Sequence, residues 1–143
     1  MSTANPKHRK SRGKSLGLKL RNTAAVIDRL KAGLTIEEFE HLCEAMDLSP
    51  QRLTAAAGIA PRTFARRKRE GVLQPDESER VFRISALFDI AVEVFGDIDT
   101  ARRWFNEPLR TLHGHAPLDY TETEPGAREV EDILGRLEHG VFS

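Results

Sequence analysis

A short stretch near the middle of the chain carries the start and stop signals of two helices only a few residues apart. Ser49 is a good N-cap, and Pro50 suits the first helical position because the backbone N–H that proline lacks has no partner there. Gly58 can adopt the left-handed conformation that ends a helix, and a second helix can begin near Pro61 or Arg62. This spacing predicts a helix-turn-helix. Three apolar side chains lie where they can fill the angle between the two helices: Leu53, Ile59 and Phe64.

The second helix of the pair is strongly basic. Arg62, Arg66 and Arg69 recur at helical spacing, so they share one face of the helix. With Phe64 on the inner face, such an arginine ridge can enter a major groove, where arginine forms two hydrogen bonds with guanine. A solvated basic face on a structural helix is the alternative, and the glycine turn before the helix favours contact with DNA. The residues predicted to bind double-stranded DNA are Arg52, Arg62, Thr63, Arg66, Arg67 and Arg69.

The chain has no net charge, with 22 Lys and Arg against 22 Asp and Glu, but the charge is divided along its length. Residues 1–70 contain 15 basic and 7 acidic residues, a net charge of +8, whereas residues 71–143 contain 7 and 15, a net charge of −8. A basic half suits a polyanion such as DNA, because each neutralised phosphate releases condensed counterions. The acidic half would be repelled by the same polyanion and suits a protein partner with a basic cleft.

The first 21 residues contain seven Lys and Arg and no acidic residue. Serine, glycine and charge dominate this segment, so it is predicted to form a disordered basic arm in the free protein. Such an arm can follow phosphates or enter a minor groove after the neighbouring domain has docked.

Apolar residues at three- and four-residue spacing predict further helices on both sides of the helix-turn-helix. One runs from Asn22 to Gly33, and the next is capped by Thr35. A long helix opens at Pro75 and ends at Gly96. Its broad apolar stripe suits the core of the protein, with a dimer surface as the alternative.

Two shorter helical segments are expected in the C-terminal half. One places Trp104 in a small core and turns Arg102 and Arg103 outward, and the last helix follows Thr123. The predicted fold class is therefore all-α, with an N-terminal helix-turn-helix DNA-binding domain and a small helical C-terminal domain. The predicted boundaries are 1–21 for the arm, 22–73 for the helix-turn-helix region, and 74–143 for the long helix with the C-terminal domain.

Several classes of protein are disfavoured by the sequence. Cys43 is the single cysteine, so an internal disulfide cannot form, and a reducing compartment is expected. No membrane-spanning run or signal peptide is recognisable, which favours a cytoplasmic location. His113 and His115 lack a third nearby ligand, so no metal site is expected. Without a phosphate-binding loop or a paired nucleophile and base, we expect no catalytic residues, no cofactor and no enzyme activity.

Beyond the helix-turn-helix, the C-terminal half contains five short motifs. They are Pro75-Asp76-Glu77-Ser78-Glu79-Arg80, Ala101-Arg102-Arg103-Trp104-Phe105, Pro108-Leu109, Gly114-His115-Ala116-Pro117-Leu118, and Gly135-Arg136-Leu137-Glu138-His139-Gly140-Val141-Phe142-Ser143. Together with the helix-turn-helix they resemble Xre-type antitoxins with an MbcA/ParS-type toxin-binding domain. The resemblance runs from about Leu34 to Ser143, and its C-terminal motif is the more specific part.

This resemblance implies a toxin–antitoxin operon whose toxin has a RES domain and consumes NAD, by degradation or by ADP-ribose transfer. The antitoxin would repress its operon by binding operator DNA as a homodimer, and its C-terminal segment would cover the active site of the toxin. It would not be an enzyme and would have no small-molecule substrate. The residues that the resemblance assigns to toxin binding are Arg136, His139, Gly140, Val141, Phe142 and Ser143. The alternative function is a helix-turn-helix repressor without a toxin partner.

Overall fold

A computed structural model describes residues 12–140. Within this range the chain forms seven α-helices, three 3-10 turns and three isolated β-bridges, with no β-strand, so the predicted all-α fold is confirmed. The helices are α1 (Thr23–Ala32), α2 (Ile36–Met46), α3 (Pro50–Ala56), α4 (Pro61–Glu70), α5 (Pro75–Phe95), α6 (Ile98–Asn106) and α7 (Glu124–His139). The 3-10 turns are Lys14–Leu16, Arg110–Leu112 and Pro117–Tyr120. Among the described helices, none combines the length and apolar composition that crossing a membrane requires.

The helices begin at the capping residues that the sequence indicated. The Asn22 side chain accepts a hydrogen bond from the Ala25 N–H at 2.8 Å, which caps α1. Thr35 and Glu38 form a reciprocal capping box at the start of α2. The Ser49 side chain caps α3 by accepting a hydrogen bond from the Arg52 N–H at 3.1 Å. Each contact satisfies a donor that the first turn of a helix leaves without an intrahelical partner.

Helix α5 organises the core of the molecule. It packs against α1, α2, α6, α7 and the Lys14–Leu16 turn. Its buried side chains join residues from both halves of the chain, including Phe39 and Leu53 before it and Phe105 and Leu134 after it, in one hydrophobic cluster. The helix-turn-helix and the C-terminal helices therefore share a core, and α5 connects them directly.

The described part of the N-terminal arm is folded, so the prediction of disorder for residues 1–21 is wrong over residues 12–20. Arg12 and Leu20 pair through two backbone hydrogen bonds of 2.8 and 2.9 Å. Leu16, only 1% exposed, enters the core, and the Ser15 hydroxyl lies 3.1 Å from that of Ser85 on α5. The burial of Leu16, together with these hydrogen bonds, contributes to offsetting the cost of ordering this segment. Residues 1–11, which carry the rest of the predicted arm, lie outside the described residues.

Candidate nucleic-acid interface and C-terminal surface

The turn between α3 and α4 has the geometry of a helix-turn-helix. Gly58 takes the left-handed conformation, with φ of 71°, and the Ile59 N–H returns to the Thr54 carbonyl at 2.9 Å. Leu53 and Ile59 are buried in the angle, as the sequence predicted. The space beside Gly58 is occupied by Glu122 from the C-terminal half, whose carboxylate would lie 2.8 Å from a Cβ built at this position. Glycine is needed here for the backbone conformation, because residues with a Cβ rarely adopt this positive φ, whereas the flexible Glu122 side chain could move aside.

Helix α4 presents an exposed ridge of arginines. Arg62, Arg66 and Arg69 are all exposed, and none of them forms an ion pair with another described residue. On the opposite face, the ring of Phe64 packs against that of Phe39 with a centroid separation of 4.8 Å. Thr63 is half-buried beside the ridge. This geometry leaves three guanidinium groups free to meet a polyanion on one side of the helix.

Arg67 is the exception among the basic residues of α4, and its assignment to the DNA-binding set needs correction. Its guanidinium donates from Nε and Nη2 to the two carboxylate oxygens of Glu77, at 2.8 and 2.9 Å. The side chains of Arg67 and Glu77 are only 11% and 7% exposed. Helical phase explains the difference, because a residue three positions after Phe64 shares its inward face. We therefore exclude Arg67 from the candidate DNA surface.

Arg52 on α3 is also engaged within the protein. Its two terminal nitrogens donate to the two carboxylate oxygens of Asp119 at 2.8 and 3.0 Å. Unlike the Arg67–Glu77 pair, this pair is accessible to solvent, with side-chain exposures of 34% and 45%. A solvent-screened ion pair of this kind is weak, so Arg52 can exchange Asp119 for another anion.

Further arginine contacts that the sequence did not indicate join elements that are distant along the chain. Arg83 on α5 donates to the carbonyl oxygens of Thr121 and Glu122 at 3.2 and 3.1 Å. Arg102, predicted to face outward, instead donates through Nε to the Ala45 carbonyl at the end of α2, at 2.9 Å. Arg102 thus joins the C-terminal half to the end of α2, whereas Arg83 holds residues 121–122 against α5 within the C-terminal half.

Comparison with known proteins gives a consistent result for both halves. Residues 25–85 match the antitoxin Xre-like helix-turn-helix domain, and residues 91–140 match the antitoxin Xre/MbcA/ParS C-terminal toxin-binding domain. The chain is 35% identical to the antitoxin Xre of Yersinia enterocolitica over 132 residues, which cover 91% of this chain and 89% of that protein. The chain belongs to the Xre antitoxin family.

Two more Xre antitoxins are similar over shorter regions. That of Photorhabdus laumondii is 40% identical over 89 residues, 61% of this chain and 60% of that protein. That of Pseudomonas putida is 33% identical over 76 residues, 53% of this chain and 48% of that protein. The family match places the α3–α4 pair in the helix-turn-helix domain and α6 and α7 in the toxin-binding domain.

In this antitoxin, α7 is fixed to the rest of the toxin-binding domain by a close backbone approach at its start. The Thr123 side chain caps the helix by accepting from the Gly126 N–H at 3.2 Å. A Cβ at Gly126 would collide with the Tyr120 carbonyl oxygen, so only glycine allows α7 to lie this close to the Pro117–Tyr120 turn. The inner face of α7, including Val130 and Leu134, is buried in the core.

The outer face of α7 is largely acidic and leads to the end of the described chain. Glu131 and Asp132 are exposed along it, and an open cleft beside the start of the helix is lined by Asp119, Glu122 and Glu129. Among the residues assigned to toxin binding, the side chains of Arg136 and His139 are exposed, and Gly140 ends α7. Val141, Phe142 and Ser143 lie outside the described residues.

Away from both surfaces, two titratable groups have raised pKa values, the buried Cys43 and the half-buried Asp89. Burial, with a smaller contribution from Glu40, raises the pKa of the Cys43 thiol to about 11, so this thiol stays protonated at neutral pH and is a poor nucleophile. Burial also raises the pKa of Asp89 to about 6, against hydrogen bonds from Ser15 and Lys14. Within residues 12–140, no group of three His, Cys, Asp or Glu side chains is arranged to hold a metal ion.

Proposed function

We propose that this Xre antitoxin represses its own operon through α4 and neutralises a RES-domain toxin through the end of α7. The observation that carries the proposal is the presence, on one shared core, of an exposed arginine ridge in a helix-turn-helix and an acidic toxin-binding domain. Membership of the family supports a type II antitoxin with a helix-turn-helix DNA-binding domain. The identity of the toxin, its chemistry and the dimer are the finer parts of the proposal.

The DNA-binding part of the proposal assigns different roles to the basic residues. Arg62, Arg66 and Arg69 lie on the exposed ridge of α4 and are proposed to enter the major groove, with Thr63 contacting a phosphate or a thymine methyl group at its edge. Arg52 on α3 is proposed to contact the backbone, because the first helix of such a pair crosses the phosphates. Two copies of the chain, related by two-fold symmetry, would bind the two halves of an operator.

The toxin-binding part of the proposal places inhibition at the chain end. The RES-domain toxin is proposed to consume NAD, so its active site must hold an anionic dinucleotide in a basic cleft. The acidic outer face of α7 complements such a cleft. Arg136, His139 and Gly140 are proposed to direct the final residues Val141, Phe142 and Ser143 over the active site, where they would exclude the dinucleotide. This antitoxin would contribute no catalytic residue and no cofactor.

Co-expression with the toxin encoded beside this gene tests the proposal. Three forms of the antitoxin are compared: the full chain, a chain that ends at Glu138, and a full-length Arg62→Ala/Arg66→Ala variant. Growth and cellular NAD concentration are followed. We expect the full chain and the arginine variant to preserve both, and the shortened chain to preserve neither. Equal protection by the shortened chain would contradict the role of the chain end.

A second measurement separates the two activities. The full chain and the arginine variant are titrated with a duplex from upstream of the operon. We expect the arginine variant to lose operator binding while it still protects cells, because the substituted side chains lie on α4, and α7 lies in the other domain. If no form protects and only operator binding is found, the chain is better described as a helix-turn-helix repressor without this toxin as its partner.

A further inference from the structure

Helix α4 is attached to the protein in an unusual way. Most surface helices are held by an apolar stripe buried against the core. None of the ten residues of α4 is fully buried, and five of them are Lys or Arg. Apolar burial alone therefore does not fix the orientation of the helix that carries the arginine ridge.

Two contacts hold the inward face of α4. Near its start, Phe64 packs against Phe39 with ring centroids 4.8 Å apart. One turn later, Arg67 forms the two-point ion pair with Glu77. Because residues three apart lie on the same side of a helix, Phe64 and Arg67 together form its anchored face.

Glu77 is itself firmly placed. It lies in the first turn of α5, and its Oε1 atom also accepts the Gln74 N–H at 2.9 Å as part of a capping box. The next residue, Ser78, is fully buried, and its hydroxyl accepts the Leu34 N–H at 2.8 Å. Burial disfavours the charged form of Glu77, but the hydrogen bonds from Arg67 and Gln74 outweigh it and lower the pKa of this carboxyl. The carboxylate is thus a fixed, charged point on the central helix.

The two-point contact restricts rotation as well as distance. A bidentate arginine–carboxylate pair sets the plane of the guanidinium group, which a single hydrogen bond does not do. Successive helical residues are separated by about 100°, so Arg62, Arg66 and Arg69 lie within about 60° of each other, on the side opposite Phe64 and Arg67. Any rotation of α4 about its axis would turn the whole ridge away from the groove.

We propose that Glu77 is a positioning residue for DNA recognition, which holds Arg67 and thereby fixes the rotation of α4 that presents the arginine ridge. Glu77 is buried and on the inward side, so it does not touch DNA. This inference rests on the proposed DNA binding by α4, and it adds that sequence specificity depends on a carboxylate outside the interface.

The test compares specific with non-specific DNA binding. Fluorescence anisotropy measures the affinity of the full chain for a duplex from upstream of its operon and for a scrambled duplex of equal length and composition. Glu77→Gln keeps the size of the side chain but loses the two-point ion pair. The matched control is Glu70→Gln, which removes the same charge from an exposed carboxylate that meets Arg67 only at 3.4 Å.

We expect Glu77→Gln to lower the ratio of operator to scrambled affinity by about tenfold, the loss of roughly one correct base contact. Its affinity for the scrambled duplex should stay equal or rise, because the net charge becomes more positive and Arg67 is released from its ion pair. Glu70→Gln should change both affinities by the same factor and leave the ratio unchanged. An unchanged ratio for Glu77→Gln would overturn the inference, whereas a wild-type chain that binds neither duplex would instead overturn the proposed DNA binding.

A second variant covers the case in which Glu77→Gln fails to fold. In Arg67→Met/Glu77→Met both charges are replaced by apolar side chains, a change that buried ion pairs commonly tolerate. We expect this variant to unfold cooperatively, as the wild type does. Its ratio of operator affinity to scrambled-duplex affinity should be as low as that of Glu77→Gln. A folded double variant with the wild-type ratio would show that the ion pair does not position α4.

Discussion

Arg52 can be released for DNA by a single substitution in the opposite half of the chain. In the free protein both of its terminal nitrogens donate to Asp119, which lies in the Pro117–Tyr120 turn. A DNA phosphate and Asp119 would therefore compete for the same guanidinium group. We predict that Asp119→Asn tightens DNA binding, because the amide keeps the shape of the side chain but loses the charge that holds Arg52.

The expected size of the effect follows from the exposure of the pair. With side chains 34% and 45% exposed, the ion pair is screened by solvent. Breaking such a pair costs at most about 1 kcal/mol, which corresponds to a gain in DNA affinity of up to about fivefold. If the released Arg52 neutralises one additional phosphate per chain, the slope of log K against log salt concentration should steepen by about 0.9 for each copy bound.

A double-mutant cycle measures this effect. DNA affinity is determined by fluorescence anisotropy at several salt concentrations for the wild type, Asp119→Asn, Arg52→Gln and the double variant. The charge control is Glu124→Gln, which breaks another exposed ion pair of the acidic half, formed with Arg128 at 2.9 Å. We expect the gain from Asp119→Asn to disappear when Arg52 is already replaced, and Glu124→Gln to give a smaller gain with no change in slope. A gain that persists in the double variant would refute the competition and leave only the change in net charge.

Two further predictions concern the stability of the fold. Gly126→Ala should lower the free energy of unfolding, measured by calorimetry, by about 1–3 kcal/mol and weaken toxin binding, because the new Cβ collides with the Tyr120 carbonyl oxygen. Gly135→Ala is the control and should show no such loss, since a Cβ there meets nothing within 4 Å. The second prediction concerns pH: burial raises the pKa of Asp89 to about 6, above its value in the unfolded chain, so the native state takes up the proton first as the pH falls. Relative to Asp89→Asn, the wild type should therefore gain about 2 kcal/mol of stability between pH 7.5 and pH 4.5 in urea titrations, and a difference that does not change with pH would contradict this reasoning.

Much of the fold was predictable because its signals are local. The N-cap at Ser49, the proline after it and the glycine at 58 lie within ten residues, and together they specify where two helices end and begin. The capping box of Thr35 and Glu38 is similarly short in range. Such signals act through the first turn of a helix and need no knowledge of what the helix packs against.

The roles of individual arginines were harder to predict, because they depend on partners distant in the sequence. Asp119 is 67 residues from Arg52, and the Ala45 carbonyl is 57 residues from Arg102. Nothing near these arginines in the chain indicates such partners. Arg67 is different, since its place three residues after Phe64 already puts it on the inward face of α4. Helical phase, applied to every arginine of α4, would have assigned Arg67 to the inward face and Arg66 to the exposed ridge.

The folded part of the N-terminal arm shows how composition can mislead. The segment is rich in charge, and this favoured the prediction of disorder. Its leucines alternate at 16, 18 and 20, and Leu16 becomes one of the most deeply buried side chains of the protein. The Lys14–Leu16 turn packs against both α2 and α5, and His41 of α2 lies 3.1 Å from the Ser15 carbonyl oxygen. Alternating leucines were a detectable signal, but the helices against which this segment packs, α2 and α5, come later in the chain.

The internal ion pairs also change how the charge division of the chain should be interpreted. The first 70 residues carry a net charge of +8, but Arg52 and Arg67 are neutralised by carboxylates from the acidic half. On α4 this leaves the exposed Arg62, Arg66 and Arg69 of the ridge, and the exposed Lys68 beside them, without an ion pair to another described residue. The salt dependence of DNA affinity reports how many phosphates such cations neutralise, so it would measure the charge left unpaired on this surface. The pairing of basic and acidic halves within one chain therefore reduces the charge that one copy offers to DNA, and the dimer proposed above would double the charge that remains.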